Sequence, residues 1–355
     1  MMAETEKQIT APALQRITVA ILSAAGTPDD LAQVVAEALV SANLAGYDSH
    51  GVMRLPSYVG AIQAGHIKPA ERAEVSSGDQ ATATVDGRWG WGFPAARLAT
   101  ETAIALAREF GVGAVTIQHC NHIGRVGEYV ETMARAGMTG IALCNAGPAV
   151  APHGGRERRL GTNPFAWAAP TDNPERPLLL DFATSVLAGG KLEVARARGQ
   201  TIKPGVIIDA EGHPSISPDD FFRGGALLPF GEYKGYAMGV MVELLAGALS
   251  GAGPSCLPDY DAGNGTLIIA INIATFQPLA KFVDQATRFA AVVGDSHAAP
   301  GSAGVLLPGD PAAAARRQRG DTGIPLPAAT WQELHDLAAR LGLRIEEETD
   351  EIHTV

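Results

Sequence analysis

From about residue 71, segments with the two-residue alternation of a strand take turns with segments carrying the longer period of a helix. That order restricts the middle of the chain to an α/β or mixed α+β arrangement. Val75 and the alternating run at residues 81–85 read as short strands. Residues 94–110 read as a helix closed by Gly111, 112–117 as a strand, 125–136 as a helix closed by Gly137, and 139–144 as a strand. Further strands are expected at 165–169, 178–181 and 267–273. Residues 234–249 predict an apolar, nearly continuous and well-buried helix, and 280–293 another.

The first segment of the chain reads as helical. Leu14, Ile17, Ile21 and Leu22 recur at helical spacing. Thr27-Pro28-Asp29-Asp30 predicts a second start, with Thr27 as N-cap, proline in the first turn and acids at the positive end of the dipole. A third helix is expected over 52–64, stopped by Gly65. Toward the end, 301–319 reads as a loop with a short helix, 331–341 as a final helix, and the acidic tail from 346 to 355 as frayed.

A chain of 355 residues that is 46% hydrophobic can build a large core and predicts about two domains. Its net charge of −11 argues against nucleic acid or an anionic membrane as partner. Cys120, Cys144 and Cys256 form no CxxC and no metal spacing, which points to a reducing compartment and no metal. The polar start lacks a leader-like apolar stretch, and no apolar run is long enough for a membrane span, so a cytoplasmic protein is expected.

Four segments concentrate chemistry. In Asp48-Ser49-His50-Gly51-Val52-Met53-Arg54, His50 can carry a proton near neutral pH and Ser49 can hold it. Arg54 lies four residues on, on the same face if the segment is helical, and its fork suits a carboxylate. A proton donor beside a carboxylate clamp is what reduction of a 2-oxo acid needs. The plainer reading is Ser49 as a helix cap, with His50 and Arg54 in solvent. His119-Cys120-Asn121-His122 joins a predicted strand to a predicted helix, where ligands meet backbone donors. Asp181 ends an apolar strand ahead of Gly189-Gly190-Lys191, and Lys191 can either polarise a carbonyl or sit in water. Lys234 opens a helix, where the dipole disfavours a cation, so either an anion such as a cofactor phosphate or solvent faces it.

The standard dinucleotide loop is missing. Gly111-Val112-Gly113 follows a helix and precedes a strand, the reverse of the Rossmann order, and no P-loop occurs.

SHGVMRLPSYV, NHIGRVGEY, GTNPFAWAAP, LDFATS, YKGYAMGVMVELLAGALSG and LLPGDP occur in that order over about residues 10–340. Together they resemble the malate/L-lactate dehydrogenase family, whose relatives include L-sulfolactate, ureidoglycolate and 2,3-diketogulonate enzymes and Δ1-piperideine-2-carboxylate reductases. The resemblance implies an α/β fold, a mixed sheet flanked by helices that binds NAD or NADP without a Rossmann motif. It also implies a smaller all-α unit of residues 1–70 joined by 310–355, beside a mixed unit of 71–309, in a homodimer with the cofactor near the subunit interface.

Carried onto this chain, the resemblance makes His50 the proton donor, Ser49 its partner, Arg54 the substrate clamp and Thr162 a substrate neighbour. His122, Ile123, Gly124, Arg125 and Val126 resemble a cofactor-contacting loop, and the position of His122 is itself a candidate for catalysis. Leu180, Asp181, Phe182, Tyr233, Lys234 and Pro308 resemble further cofactor contacts. Two departures bear on chemistry. Lys191 stands where the cyclic-imine reductases place an acid, which favours a 2-hydroxy acid over a cyclic imine carboxylate as substrate. Glu232-Tyr233 replace a common Gly-His, which bears on the choice of NAD or NADP, with Arg125 a candidate for a 2′-phosphate. The remaining alternative is a cofactor-binding protein without catalysis, against which Ser49, His50 and Arg54 together argue.

Overall fold

The computed structural model describes residues 6–197, 199–346 and 350–354. Strand β1 (Lys7–Ile9) leads into helices α1 (Ala11–Ala24), α2 (Asp29–Leu44) and α3 (Leu55–Gln63). Their apolar stripes meet in one core, where Leu14, Ile17, Ile21, Leu22 and Leu39 are fully buried. Each such side chain contributes roughly 1.5–3 kcal/mol. Two expectations need correction. Pro28, not Thr27, occupies the cap of α2, and the Thr27 hydroxyl is buried without a hydrogen-bond partner among the described residues. The third helix is α-helical only from Leu55: Val52–Arg54 is a 3₁₀ turn, and a separate 3₁₀ turn, Asp48–His50, precedes it across the extended Gly51.

The middle of the chain builds a seven-stranded mixed sheet. Its strands are β2 (Glu74–Asp79), β3 (Thr82–Asp86), β4 (Val112–Gln118), β5 (Met138–Cys144), β6 (Phe165–Ala169), β7 (Leu178–Phe182) and, later in the chain, β11 (Thr266–Asn272). The order is β2-β3-β4-β11-β5-β6-β7, with only β3 and β4 parallel. Helices α4 (Gly92–Phe110) and α5 (Gly127–Arg135) cover one face. Alanines 95, 96, 99, 103 and 107 line the buried side of α4 and let it lie close to the sheet. Gly113 is part of that fit, since a Cβ there would stand 2.2 Å from the Ala103 carbonyl. Gly111 ends α4 at φ +86°, which accounts for the glycine pair without any phosphate.

Helix α6 (Gly189–Ala197), the small sheet of β8 (Ile207–Ile208), β9 (Pro214–Ser215) and β10 (Ala226–Leu227), and helix α7 (Pro218–Phe222) form a satellite cluster around Leu192, Ile207 and Leu227. Helix α8 (Tyr233–Val242) runs into a π-helical segment, Glu243–Ala248, and Val242 of the first and Ala246 of the second pack on the second face of the sheet. The expectation of a well-buried helix fails here. Met241, Leu244 and Leu249 are 50%, 49% and 60% exposed, because this helix lies over the sheet with one flank outward.

Helix α9 (Leu279–Gly294) follows β11. Helix α10 (Asp310–Thr322) has thirteen residues, longer than the short helix expected within 301–319. Strand β12 (Ile324–Leu326) pairs with β1, so the end of the chain returns to the N-terminal helices. Helix α11 (Ala328–Arg340) and strand β13 (Leu343–Glu346) complete that core. Strand β14 (Glu351–Thr354) pairs with β13, so the tail is a hairpin and not frayed over its described part; residues 347–349 and 355 lie outside the described residues.

Candidate active site

Asn43, in the last turn of α2, organises the segment that follows. Its buried amide donates to Asp48 Oδ1 at 2.8 Å and accepts from the Val52 N–H at 2.9 Å. The two 3₁₀ turns wrap around it, and Gly51 is required because a Cβ would stand 2.2 Å from the Asn43 oxygen. From α10, Arg319 grips the Asp48 carboxylate with both terminal nitrogens, at 2.6 and 3.0 Å. The shared helix face expected for His50 and Arg54 is therefore absent. The solvated-cap alternative also fails: Ser49 Oγ meets His50 Nδ1 at 3.2 Å, and Arg54 Nε donates to the Ser49 carbonyl at 2.7 Å. Gly190 of α6 closes over the pair. A Cβ there would lie 2.9 Å from Ser49 Cβ and 3.0 Å from a terminal nitrogen of Arg54.

The second histidine segment arrives from β4. His119 takes φ +48° and pairs with Asp86 at 3.1 Å, away from His50. His122 stacks on His50, with ring centroids 5.7 Å apart and planes 17° from parallel. Its Nδ1 lies 2.7 Å from the hydroxyl of the buried Tyr58 on α3. Burial, then the charges of Arg54, Arg125 and Lys191, lower the His50 pKa to about 4. His122 is held well below 6.5 by burial and by its neighbours His50 and Arg54. Both rings are neutral at pH 7.

A cleft of about 860 Å³ opens between the helical segment and the edge of the sheet. It is lined by Ser49, His50, Gly124, Arg125, Val126, Thr162, Asp181, Phe182, Lys191 and Arg319, with Tyr47 and Asp48. Arg54 and His122 adjoin this lining through Ser49 and His50, and Ile123 is buried beneath it. Leu180 lies on β7 paired with Trp167, and the Pro308 carbonyl accepts from the Leu179 N–H. Tyr233 and Lys234 begin α8, both exposed and outside the cleft lining of their own chain.

Arg125 forms the charged floor of the cleft. Its Nη2 donates to Glu131 at 2.9 Å, its Nη1 is 3.7 Å from Asp181, and its guanidinium lies over the Tyr47 ring. Glu131 is also gripped by Arg316 of α10 and by Arg135. Burial alone would raise the Glu131 carboxyl, but Arg316 and Arg125 outweigh it and hold it low. Asp181 is the reverse: burial raises it despite Arg125 and the Gly127 N–H. The buried Arg125 Nη1 lacks a hydrogen-bond partner among the described residues. A cleft of this size with Arg125 and Lys191 in its lining fits an oxygen-rich ligand such as a nicotinamide dinucleotide.

Asn43, Tyr58 and Arg319 were not singled out in the sequence. Asn43 carried a weak signal as a polar residue inside an apolar helix, whereas Tyr58 and Arg319 meet the site only through long-range packing.

Comparison with known proteins agrees with this arrangement. The family model for malate/L-lactate dehydrogenase matches residues 9–335. A malate dehydrogenase of Pyrococcus abyssi is 38% identical over 337 residues, covering 92% of each chain. An L-lactate dehydrogenase of Cupriavidus necator is 38% identical, covering 92% of this chain and 95% of its own. The solved malate dehydrogenase of Pyrococcus horikoshii superposes with a TM-score of 0.88 at 32% identity, covering 96% of this chain and 97% of its own. The chain belongs to the malate/L-lactate dehydrogenase family.

Proposed function

We infer that this protein interconverts a small 2-oxo acid and its 2-hydroxy acid with NAD or NADP as redox partner. The observation that carries the reading is His50, a neutral imidazole in the cleft wall, set among the cations Arg54, Arg125 and Lys191. A base among cations suits an anionic substrate that must lose or gain a proton at an alcohol.

A nicotinamide bound here would supply or accept the hydride. In the oxidative direction the His50 Nε2 takes the hydroxyl proton, while Ser49 Oγ at Nδ1 fixes the tautomer that leaves Nε2 free. In the reductive direction the protonated ring returns it. Arg54 binds the substrate carboxylate through its terminal nitrogens, its Nε being committed to Ser49. Lys191 stabilises negative charge on the reacting oxygen, and Thr162 borders the substrate. His122, bonded to Tyr58 behind His50, supports that ring and does not transfer the proton. Gly124, Arg125, Val126, Asp181 and Phe182, with Ile123 and Leu180 beneath them, would hold the cofactor.

Met241, Leu244, Leu245 and Leu249 form an outward apolar flank that suits a second copy in a homodimer, and Tyr233, Lys234 and Pro308 are further cofactor contacts in that assembly. We place the protein in the cytoplasm, with residues 1–70 and 310–355 as one unit and 71–309 as the other.

Oxidation of NADH and NADPH with pyruvate, oxaloacetate, 3-sulfopyruvate and Δ1-piperideine-2-carboxylate tests the reading. Turnover of at least one 2-oxo acid, with the cyclic imine poorer, is expected. Turnover confined to the imine, or to none of the four, overturns it.

A further inference from the structure

Glu243 is the only charged residue between Lys234 and Leu249, and it is 3% exposed at the start of the π-helical segment. Among the described residues no cation lies within ion-pair distance of it. Five neutral donors converge on its two oxygens instead. Oε1 accepts from the Gly161 N–H at 3.0 Å, Asn163 Nδ2 at 3.0 Å and Ser255 Oγ at 2.6 Å. Oε2 accepts from Asn145 Nδ2 at 3.1 Å and the Ser255 N–H at 2.8 Å. Burying a lone carboxylate is costly unless its hydrogen bonds are complete, so this environment is built for one acid.

Two of the five donors flank Thr162. Asn163 sits at φ +41°, a left-handed conformation that a non-glycine residue keeps only when its surroundings fix it. Its side chain also donates to the Gly239 carbonyl and accepts from the Ala146 N–H. Gly161 has no room to adjust: a Cβ would lie 2.2 Å from the Ala146 carbonyl. Thr162 is thus clamped on both sides, its carbonyl accepts from the N–H and Oγ1 of Thr184, and it lines the cleft.

We propose that Glu243 is a positioning residue that fixes the Gly161-Thr162-Asn163 turn so that Thr162 meets the substrate, without itself touching the cleft. The proposal rests on the reading of Thr162 as a substrate neighbour. Its outer neighbours Leu244 and Leu245 belong to the exposed apolar flank, so the turn is held by the same helix that presents that flank.

Glu243→Gln keeps the size but turns one acceptor into a donor facing donors. In the full-length enzyme it is expected to raise KM for the 2-oxo acid about tenfold, with cofactor KM and kcat per folded site within about threefold. Glu243→Asp is expected to fall between the two. Asn163→Ala, which removes the same link from the other side, is expected to raise substrate KM as well, and the double variant to add little to either single change. Amide exchange over residues 159–163 is expected to quicken in Glu243→Gln while α4 and α5 stay protected. That arm needs no substrate, so it separates failure of this proposal from failure of the functional reading. Unchanged exchange in that turn, or a fall in kcat with substrate KM unmoved, overturns the positioning role. If Glu243→Gln does not fold, Asn163→Ala decides by the same two readings.

Discussion

His50 and His122 stack 5.7 Å apart, yet only His50 reaches the cleft. Burial, then the three cations Arg54, Arg125 and Lys191, leaves His50 a weak base with a pKa of about 4. For oxidation of a hydroxy acid, kcat/KM depends on the neutral base of the free enzyme. Its acid limb is therefore expected near pH 4 rather than at the ordinary histidine value of about 6.5. Lys191→Met removes one of the cations and is expected to move the limb upward. A wild-type limb at the ordinary value would contradict this electrostatic picture.

The same shift sets acid stability. The folded-state pKa of His50 lies below its unfolded value, so the unfolded chain binds more protons between them. Stability is then fully present above about pH 6.5 and is lost as pH falls toward 4, by about 3 kcal/mol for His50 alone. His122 acts in the same direction. Urea midpoints at pH 7.5 and 5 are expected to differ clearly in wild type and less in His50→Asn.

Arg54→Lys keeps the charge and loses the fork. Lysine lacks an Nε–H in the plane of two terminal donors, so it cannot hold the Ser49 carbonyl and a carboxylate together. KM for the 2-oxo acid is expected to rise roughly 10–100-fold with cofactor KM nearly constant, as read by steady-state kinetics.

Gly190→Ala favours a helix by propensity, by about 1 kcal/mol in an exposed interior. Here the added Cβ lands 2.9 Å from Ser49 Cβ and 3.0 Å from Arg54. Substrate KM is expected to rise about tenfold with little change in melting temperature. A variant with wild-type KM would show that Arg54 is free to move.

Local chemistry was legible where it depends on neighbours in sequence. The alternation from residue 71 onward, the αL cap at Gly111 and the Ser49-His50 contact all follow from short spacings. What failed depended on the rest of the molecule. The helix expected over 52–64 opens as a 3₁₀ turn, Val52–Arg54, where the Asn43 amide takes the Val52 N–H. The apolar run at 234–249 reads as buried because a flank suited to a partner has the same composition as a core. The tail pairs as a hairpin through β13, a non-local contact invisible in its acidic composition. Arg319 reaches Asp48 from 271 residues away, and no local pattern announces it.

The central claim is that His50 moves the proton and His122 supports it. The direct measurement is single-turnover reduction of a 2-oxo acid by His50→Gln and His122→Gln, with cofactor binding measured separately by fluorescence titration. His50→Gln is expected to slow the chemical step by about 10²–10⁴-fold with cofactor affinity retained, and His122→Gln by about tenfold or less. A His50→Gln enzyme near wild-type rate beside an inactive His122→Gln would contradict the account.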